Sequence, residues 1–127
     1  MTYLDTNILI YLLEGHQQYG NLVATTLEEL TAQNQLLITS SITVTEFLAG
    51  TSSSSLATLQ QVPKLRFITL DEDLAERAAM LQRNQPSLQI GDAIHLATAI
   101  QEQAELFFTN DKLLAKNASN YLAVKIL

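Results

Sequence analysis

The chain has no cysteine. That absence excludes a disulfide framework and any metal site built on thiolates, and it fits a reducing compartment. Basic residues are few: seven Lys and Arg stand against thirteen Asp and Glu, a formal net charge of −6. A surface of that sign does not draw nucleic acid by bulk charge, because each phosphate contact works against the long-range field. If RNA binds, the attraction comes from bound cations or a local basic stripe, and a basic protein partner suits the surface better. No apolar run approaches the roughly 20 residues that cross a bilayer. The opening residues lack the basic start and apolar stretch of a signal peptide. The expectation is no membrane and a soluble, cytoplasmic protein. A Walker phosphate loop, G-x-G-x-x-G and G-x-S-x-G are all missing, which removes the common nucleotide-binding and serine-hydrolase readings.

What is present suits a single globular domain over residues 1–127. Of the 127 residues, 47% are hydrophobic and 16% charged, enough for one real core and too apolar for a disordered chain. TYLD (2–5), LLIT (36–39), LRFITL (65–70), ELFFTN (105–110) and AVKIL (123–127) read as strands. Between them, apolar residues at three- and four-residue spacings predict helices over 7–14, 18–33, 71–84 and 90–104, with shorter ones at ITVTEFLAG, SLATLQQV and DKLLAKN. Ser40 and Ser41 are placed to cap the helix that carries Glu46, and Gly50 to end it. TSSSS (51–55) reads as a flexible connection. Short apolar strands alternating with helices predict an α/β fold, a three-layer α/β/α sandwich around a central, mostly parallel sheet of about five strands.

In such sheets ligands bind beyond the carboxyl ends of the strands. Four acids fall there. Asp5 closes the first strand, Asp111 follows the fourth, and Glu46 lies early in the helix after LLIT. Asp92 lies in the first turn of the helix IGDAIHLATAI, whose Ile90, Ala93, Ile94, Leu96, Ala97 and Ile100 demand burial. A carboxylate there is costly unless compensated. A helix N-terminus supplies about 0.3–1 kcal/mol, too little to gather several carboxylates. A divalent cation is enough, and an all-oxygen donor set points to Mg²⁺ or Mn²⁺.

Each acid also has a plainer reading. Asp5 and Asp111 suit helix N-caps, and Glu46 suits a solvated face. Thr6, Asn7, Thr109 and Asn110 are capping types as well, and are placed to orient a ligand or its water. His95, three residues after Asp92, is placed to pair with it or contact a substrate, or is simply structural or exposed. His16 reads as a loop residue without a catalytic part. Lys112 and Lys116 suit phosphate contacts or plain surface.

YLDTNILIYLL, ITSSITVTEFLAG, IGDAIHLATAI and FFTNDKLL, in this order, closely resemble the four motifs of PIN-domain ribonucleases, in particular VapC-type toxins of type II toxin–antitoxin pairs. The resemblance spans nearly the whole chain. It implies that Asp5, Glu46, Asp92 and Asp111 form an acidic pocket for one or two Mg²⁺ or Mn²⁺ ions, with Thr6, Asn7, Ser41 and Thr109 in support. It also implies an RNA substrate, a homodimer, and a cognate antitoxin whose tail enters the groove. One departure concerns the second ion: many members carry another acid after the fourth motif, where this chain has Leu113 and Leu114. A PIN nuclease of RNA processing and a non-catalytic PIN-like binding module are the alternatives. A phosphatase of the haloacid-dehalogenase type would need a second acid at position 7, which is Asn.

Overall fold

Five short segments pair into one sheet: Thr2–Leu4, Leu37–Ser40 and Leu106–Thr109 are buried on both faces, while Leu65–Ile68 and Ala123–Ile126 lie partly exposed at its edges. The computed structural model describes residues 1–51 and 54–127. Strand β1 (Thr2–Leu4) leads to α1 (Thr6–Leu13) and α2 (Gly20–Ala32), and β2 (Leu37–Ser40) to α3 (Ile42–Gly50) and α4 (Leu56–Gln60). Strand β3 (Leu65–Ile68) leads to α5 (Glu72–Asn84) and α6 (Ile90–Gln101), and β4 (Leu106–Thr109) to α7 (Lys112–Ala118) and β5 (Ala123–Ile126). The strands lie in the order β3-β2-β1-β4-β5, and every pairing is parallel. The serine-rich connection expected over 51–55 includes Ser52 and Ser53, which lie outside the described residues.

Successive strand residues point to opposite faces, and this alternation builds two cores. Leu4, Leu37 and Phe108 join Ile8, Leu9, Val23, Leu27 and Phe47 under α1, α2 and α3. Tyr3, Ile38 and Phe107 join Leu88, Leu96, Leu114 and Ala118 under α6 and α7. A third cluster, Leu74, Ala78, Ala93, Ile94 and Ala97, seams α5 to α6. The result is the expected three-layer α/β/α sandwich.

Among the longer helices, two ends differ by more than one residue from those expected. Helix α2 starts at Gly20 and not Gln18, because His16 Nδ1 accepts the backbone N–H groups of Gln18 and Tyr19, both at 3.1 Å, and holds that stretch in a turn. Helix α6 stops at Gln101 and not Ala104. Gln103 takes a left-handed φ of 56°, and the Ala104 N–H closes on the Ala99 carbonyl at 3.0 Å. That is a Schellman end, commonly signalled by glycine.

The chain runs β1 to β2 to β3 in one direction, then crosses to place β4 on the other side of β1. The order therefore reverses between β1 and β4. A crevice opens outside the carboxyl ends of strands at such a point, and residues 5 and 109–111 sit at its lip.

Candidate functional site

Asp5 leaves β1 in an extended conformation and caps α1, its Oδ1 accepting the Thr6 N–H at 2.8 Å. Its Oδ2 accepts the Thr109 hydroxyl at 2.7 Å. The Asp111 N–H in turn donates to Thr109 Oγ1 at 3.0 Å. One hydroxyl thus ties the ends of β1 and β4 together and sets the spacing of two acids. Asp111 caps α7, its Oδ1 accepting the N–H groups of Leu113 and Leu114 at 2.9 and 3.1 Å. The capping and site readings of these two aspartates are compatible, since Asp111 caps with one oxygen only.

Helix α3 carries Glu46 back toward β1. Its Oε1 accepts the Thr6 hydroxyl at 2.7 Å and lies 2.6 Å from His95 Nε2. The opening of α6 brings up Asp92, and Gly91 beside it leaves room for Glu46: a Cβ at position 91 would stand 3.2 Å from Glu46 Oε2. All four acids line a single cavity of about 420 Å³, together with Thr6, Asn7, Ser87 and Gln89, and with Ile10, Gly50 and Leu113 as its apolar part.

The other expected residues fall as follows. Asn7 is exposed on the cavity wall. Thr109 is buried and acts through Asp5 and Asp111. Ser41 points elsewhere, its hydroxyl accepting the Leu70 N–H at 3.0 Å, so it stitches the exit of β3 to the start of α3. Asn110 donates to the Tyr11 hydroxyl at 2.9 Å. Sequence reasoning missed Ser87 and Gln89, which the turn before α6 delivers to the cavity; no motif marks them. For His95 it offered pairing with Asp92 or a substrate beside a structural or exposed role, and it did not name Glu46 or Tyr3 as partners. The structure buries His95 to 1% exposure and bonds it to Glu46 and to the Tyr3 hydroxyl. Two buried polar side chains in apolar segments need partners, and that need was the available signal.

Charge is unevenly compensated here. Burial, joined by the charges of Asp5, Asp111 and Glu46, pushes the Asp92 carboxyl up to about 6, with His95 only partly opposing. Burial alone would raise Glu46, but the His95 hydrogen bond and charge, with the Thr6 hydroxyl, hold it below the usual range. Burial would lower His95, yet the Glu46 bond and the charges of Asp5, Glu46 and Asp92 raise it. Burial keeps the Tyr3 phenol protonated throughout the physiological range.

Among the described residues no three His, Asp or Glu side chains are already closed around an ion position. The carboxylates face one cavity while Asp5, Glu46 and Asp111 are partly engaged by protein donors. The donor set, carboxylate and hydroxyl oxygens without a thiol, fits a hard divalent cation such as Mg²⁺ or Mn²⁺. Asp92, raised by burial and by its neighbours' charge and given no hydrogen bond by the described residues, is the acid that such a cation would relieve. Holding one would require Asp5, Glu46, Asp92 and Asp111, which line the cavity, to close around it.

Comparison with known proteins gives the same frame. Residues 2–120 match the PIN domain family. No curated protein matches. A chain of the toxin–antitoxin complex from Klebsiella pneumoniae is 26% identical, with a TM-score of 0.70 over 98% of this chain and 96% of that one. Rickettsia felis VapBC2, solved bound to a DNA fragment from its promoter, is 24% identical, with a TM-score of 0.73 over 100% and 99%. Mycobacterium tuberculosis VapC20, a sarcin–ricin loop cleaving toxin, shares the fold at a TM-score of 0.75 over 98% and 99%, with 16% identity. A match spanning nearly every residue, on a parallel sheet whose switch point gathers four acids, makes this chain a member of the PIN domain family.

Proposed function

We propose that the protein is a Mg²⁺- or Mn²⁺-dependent endoribonuclease, the toxin of a toxin–antitoxin pair, acting as a cytoplasmic homodimer. The observation that carries this reading is the convergence of Asp5, Glu46, Asp92 and Asp111 on one cavity, with Asp92 pushed up to about 6 by burial and its neighbours' charge. Family membership supports nuclease chemistry, and similarity to a chain of a toxin–antitoxin complex supports the partner.

A divalent cation bound there would lower the pKa of a water, neutralise the scissile phosphate and stabilise the leaving oxygen. Asp5 and Asp92 would hold that cation directly. The Thr6 amide and the Thr109 hydroxyl keep Asp5 in place for the task. Glu46 contributes its free oxygen, directly or through a water. Asp111, with one oxygen committed to capping, would help to place a second ion or the attacking water. Leu113 and Leu114 supply no further acid, so Asp111 bears the second position alone. Exposed Lys112 and Lys116 follow Asp111 on α7 and are placed to meet substrate phosphates. Water attacks, so the 2′-OH of RNA takes no part in bond breaking. The net charge of −6 suits an antitoxin tail with basic side chains.

Purified protein should cleave total RNA in Mg²⁺ and stop in a chelator. Asp92→Asn should abolish cleavage while the fold persists, and Asp5→Ala should remove Mn²⁺ binding in calorimetry. Cleavage by Asp92→Asn at the wild-type rate sinks the assignment. The toxin role is tested separately by the neighbouring reading frame, where a small DNA-binding protein is expected, and by growth arrest on expression.

A further inference from the structure

Tyr3, His95 and Glu46 form one hydrogen-bonded rod running from the sheet to the cavity. The Ser40 N–H donates to the Tyr3 hydroxyl at 3.0 Å, and that hydroxyl lies 2.6 Å from His95 Nδ1. An amide can only donate, so the Ser40 bond uses a lone pair of the phenol and leaves its O–H for Nδ1. In the neutral ring the imidazole proton then sits on Nε2, which donates to Glu46 Oε1 at 2.6 Å. The Thr6 hydroxyl gives that same oxygen a second bond at 2.7 Å. Both bonds reach Oε1. Oε2 lies against Gly91, at the opening of α6, and takes no hydrogen bond from the described residues. Tyr3 is fixed from both sides, fully buried and stacked on Phe107 at 5.1 Å and 9°.

We propose that His95 is the positioning residue of the acidic site: it holds Glu46 by Oε1 so that Oε2 alone is presented to the cavity, and Tyr3 sets the tautomer in which it does so. This rests on reading the cavity as a divalent-cation site. Glu46 therefore serves as a single-oxygen ligand, and the orientation of that oxygen is specified by two residues that touch neither metal nor substrate. A core histidine that merely fills space would leave Glu46 indifferent to its loss.

The experiment compares His95→Leu, His95→Gln and Tyr3→Phe, each alone and combined with Glu46→Gln, by Mn²⁺ calorimetry beside thermal melts. Outer partners of ligands are typically worth about 10–100-fold in affinity. His95→Leu should weaken Mn²⁺ binding by that factor, and His95→Gln, which keeps a donor for Oε1, should restore most of it. Neither should change affinity further once Glu46 is Gln. Equal losses in both backgrounds, or wild-type affinity in His95→Leu, overturn the proposal. If His95→Leu does not fold, Tyr3→Phe and His95→Gln carry the same comparison. A second readout needs no metal: in ¹⁵N spectra of the chelated wild type, His95 should carry a slowly exchanging proton on Nε2 that Glu46→Gln exposes to solvent. A neutral ring protonated on Nδ1 overturns the arrangement. Wild-type protein that binds no Mn²⁺ refutes the cation-site reading instead, and the spectra still decide how His95 is held.

Discussion

At Asp92, burial and the charges of Asp5, Asp111 and Glu46 together raise the carboxyl to about 6, against an ordinary value of 3.8. A carboxyl raised in the folded state binds more protons folded than unfolded between those two values. Stability from this group is therefore present at low pH and lost as pH rises from about 4 through 6. His95, also raised, adds stability below its ordinary value of 6.5 that fades as pH climbs through its folded value. Glu46, lowered, adds stability above its ordinary 4.5 that is lost only in stronger acid. The three together make the chelated protein most stable in mild acid. Replacing Asp92 by Asn removes the repulsion without removing bulk. In a chelator, Asp92→Asn should melt higher than wild type at pH 7.5, and the gap should shrink as pH falls below about 5. A divalent cation at 100 times its dissociation constant would stabilise wild type by about 2.7 kcal/mol, and the variant should gain nothing. Differential scanning fluorimetry across pH, with chelator and with Mn²⁺, measures both arms. A variant less stable than wild type at pH 7.5 in chelator would contradict this account of the site's electrostatics.

Local pattern reveals elements better than it reveals their ends. LLIT and ELFFTN are legible as strands because both faces must be buried, and IGDAIHLATAI as a helix because its apolar positions nearly encircle it, although Ile90 and Ile100, expected to be buried, stand exposed near its two ends. The stop at Gln101 was not legible, since the left-handed position falls on Gln103, a residue that does not advertise that conformation. The α2 start was hidden likewise, because its N-cap Tyr19 makes no side-chain cap and the preceding turn is held by the His16 ring. Gly91 shows an element tuned to a site. In the first turn of α6 it is a poor helix former, and Ala would improve the helix by up to about 1 kcal/mol. Yet its Cβ would stand 3.2 Å from Glu46 Oε2, tight enough to push that carboxylate aside. Gly91→Ala should keep or raise the melting temperature while weakening Mn²⁺ binding and slowing RNA cleavage. Unchanged affinity would mean that Glu46 has room to adjust and that the glycine serves only the backbone.

The fold class follows from alternation, but the strand order 3-2-1-4-5 does not, because nothing local marks which strand lies beside β1. That order is what turns four scattered acids into one cavity, and it brings Tyr3 within reach of His95 across 92 positions of sequence. The acids themselves were legible from chemistry and from resemblance to known motifs. The rod beneath them was not, since a strand tyrosine looks like core until its partner is known. Across the whole molecule, seven bases against thirteen acids leave phosphate little to approach without a cation. Filter binding should therefore find almost no RNA affinity in chelator, and affinity should return with Mn²⁺ under conditions too brief for cleavage. Each phosphate contact made by a Lys or Arg contributes about 0.7 to the salt slope of single-strand binding. With Lys112 and Lys116 as its only basic neighbours on α7, the site should give a shallow slope. Lys112→Ala combined with Lys116→Ala should flatten it by about 1.4 if both lysines meet phosphate. Strong RNA binding in chelator would place the nucleic-acid surface elsewhere on the molecule and separate it from the four acids.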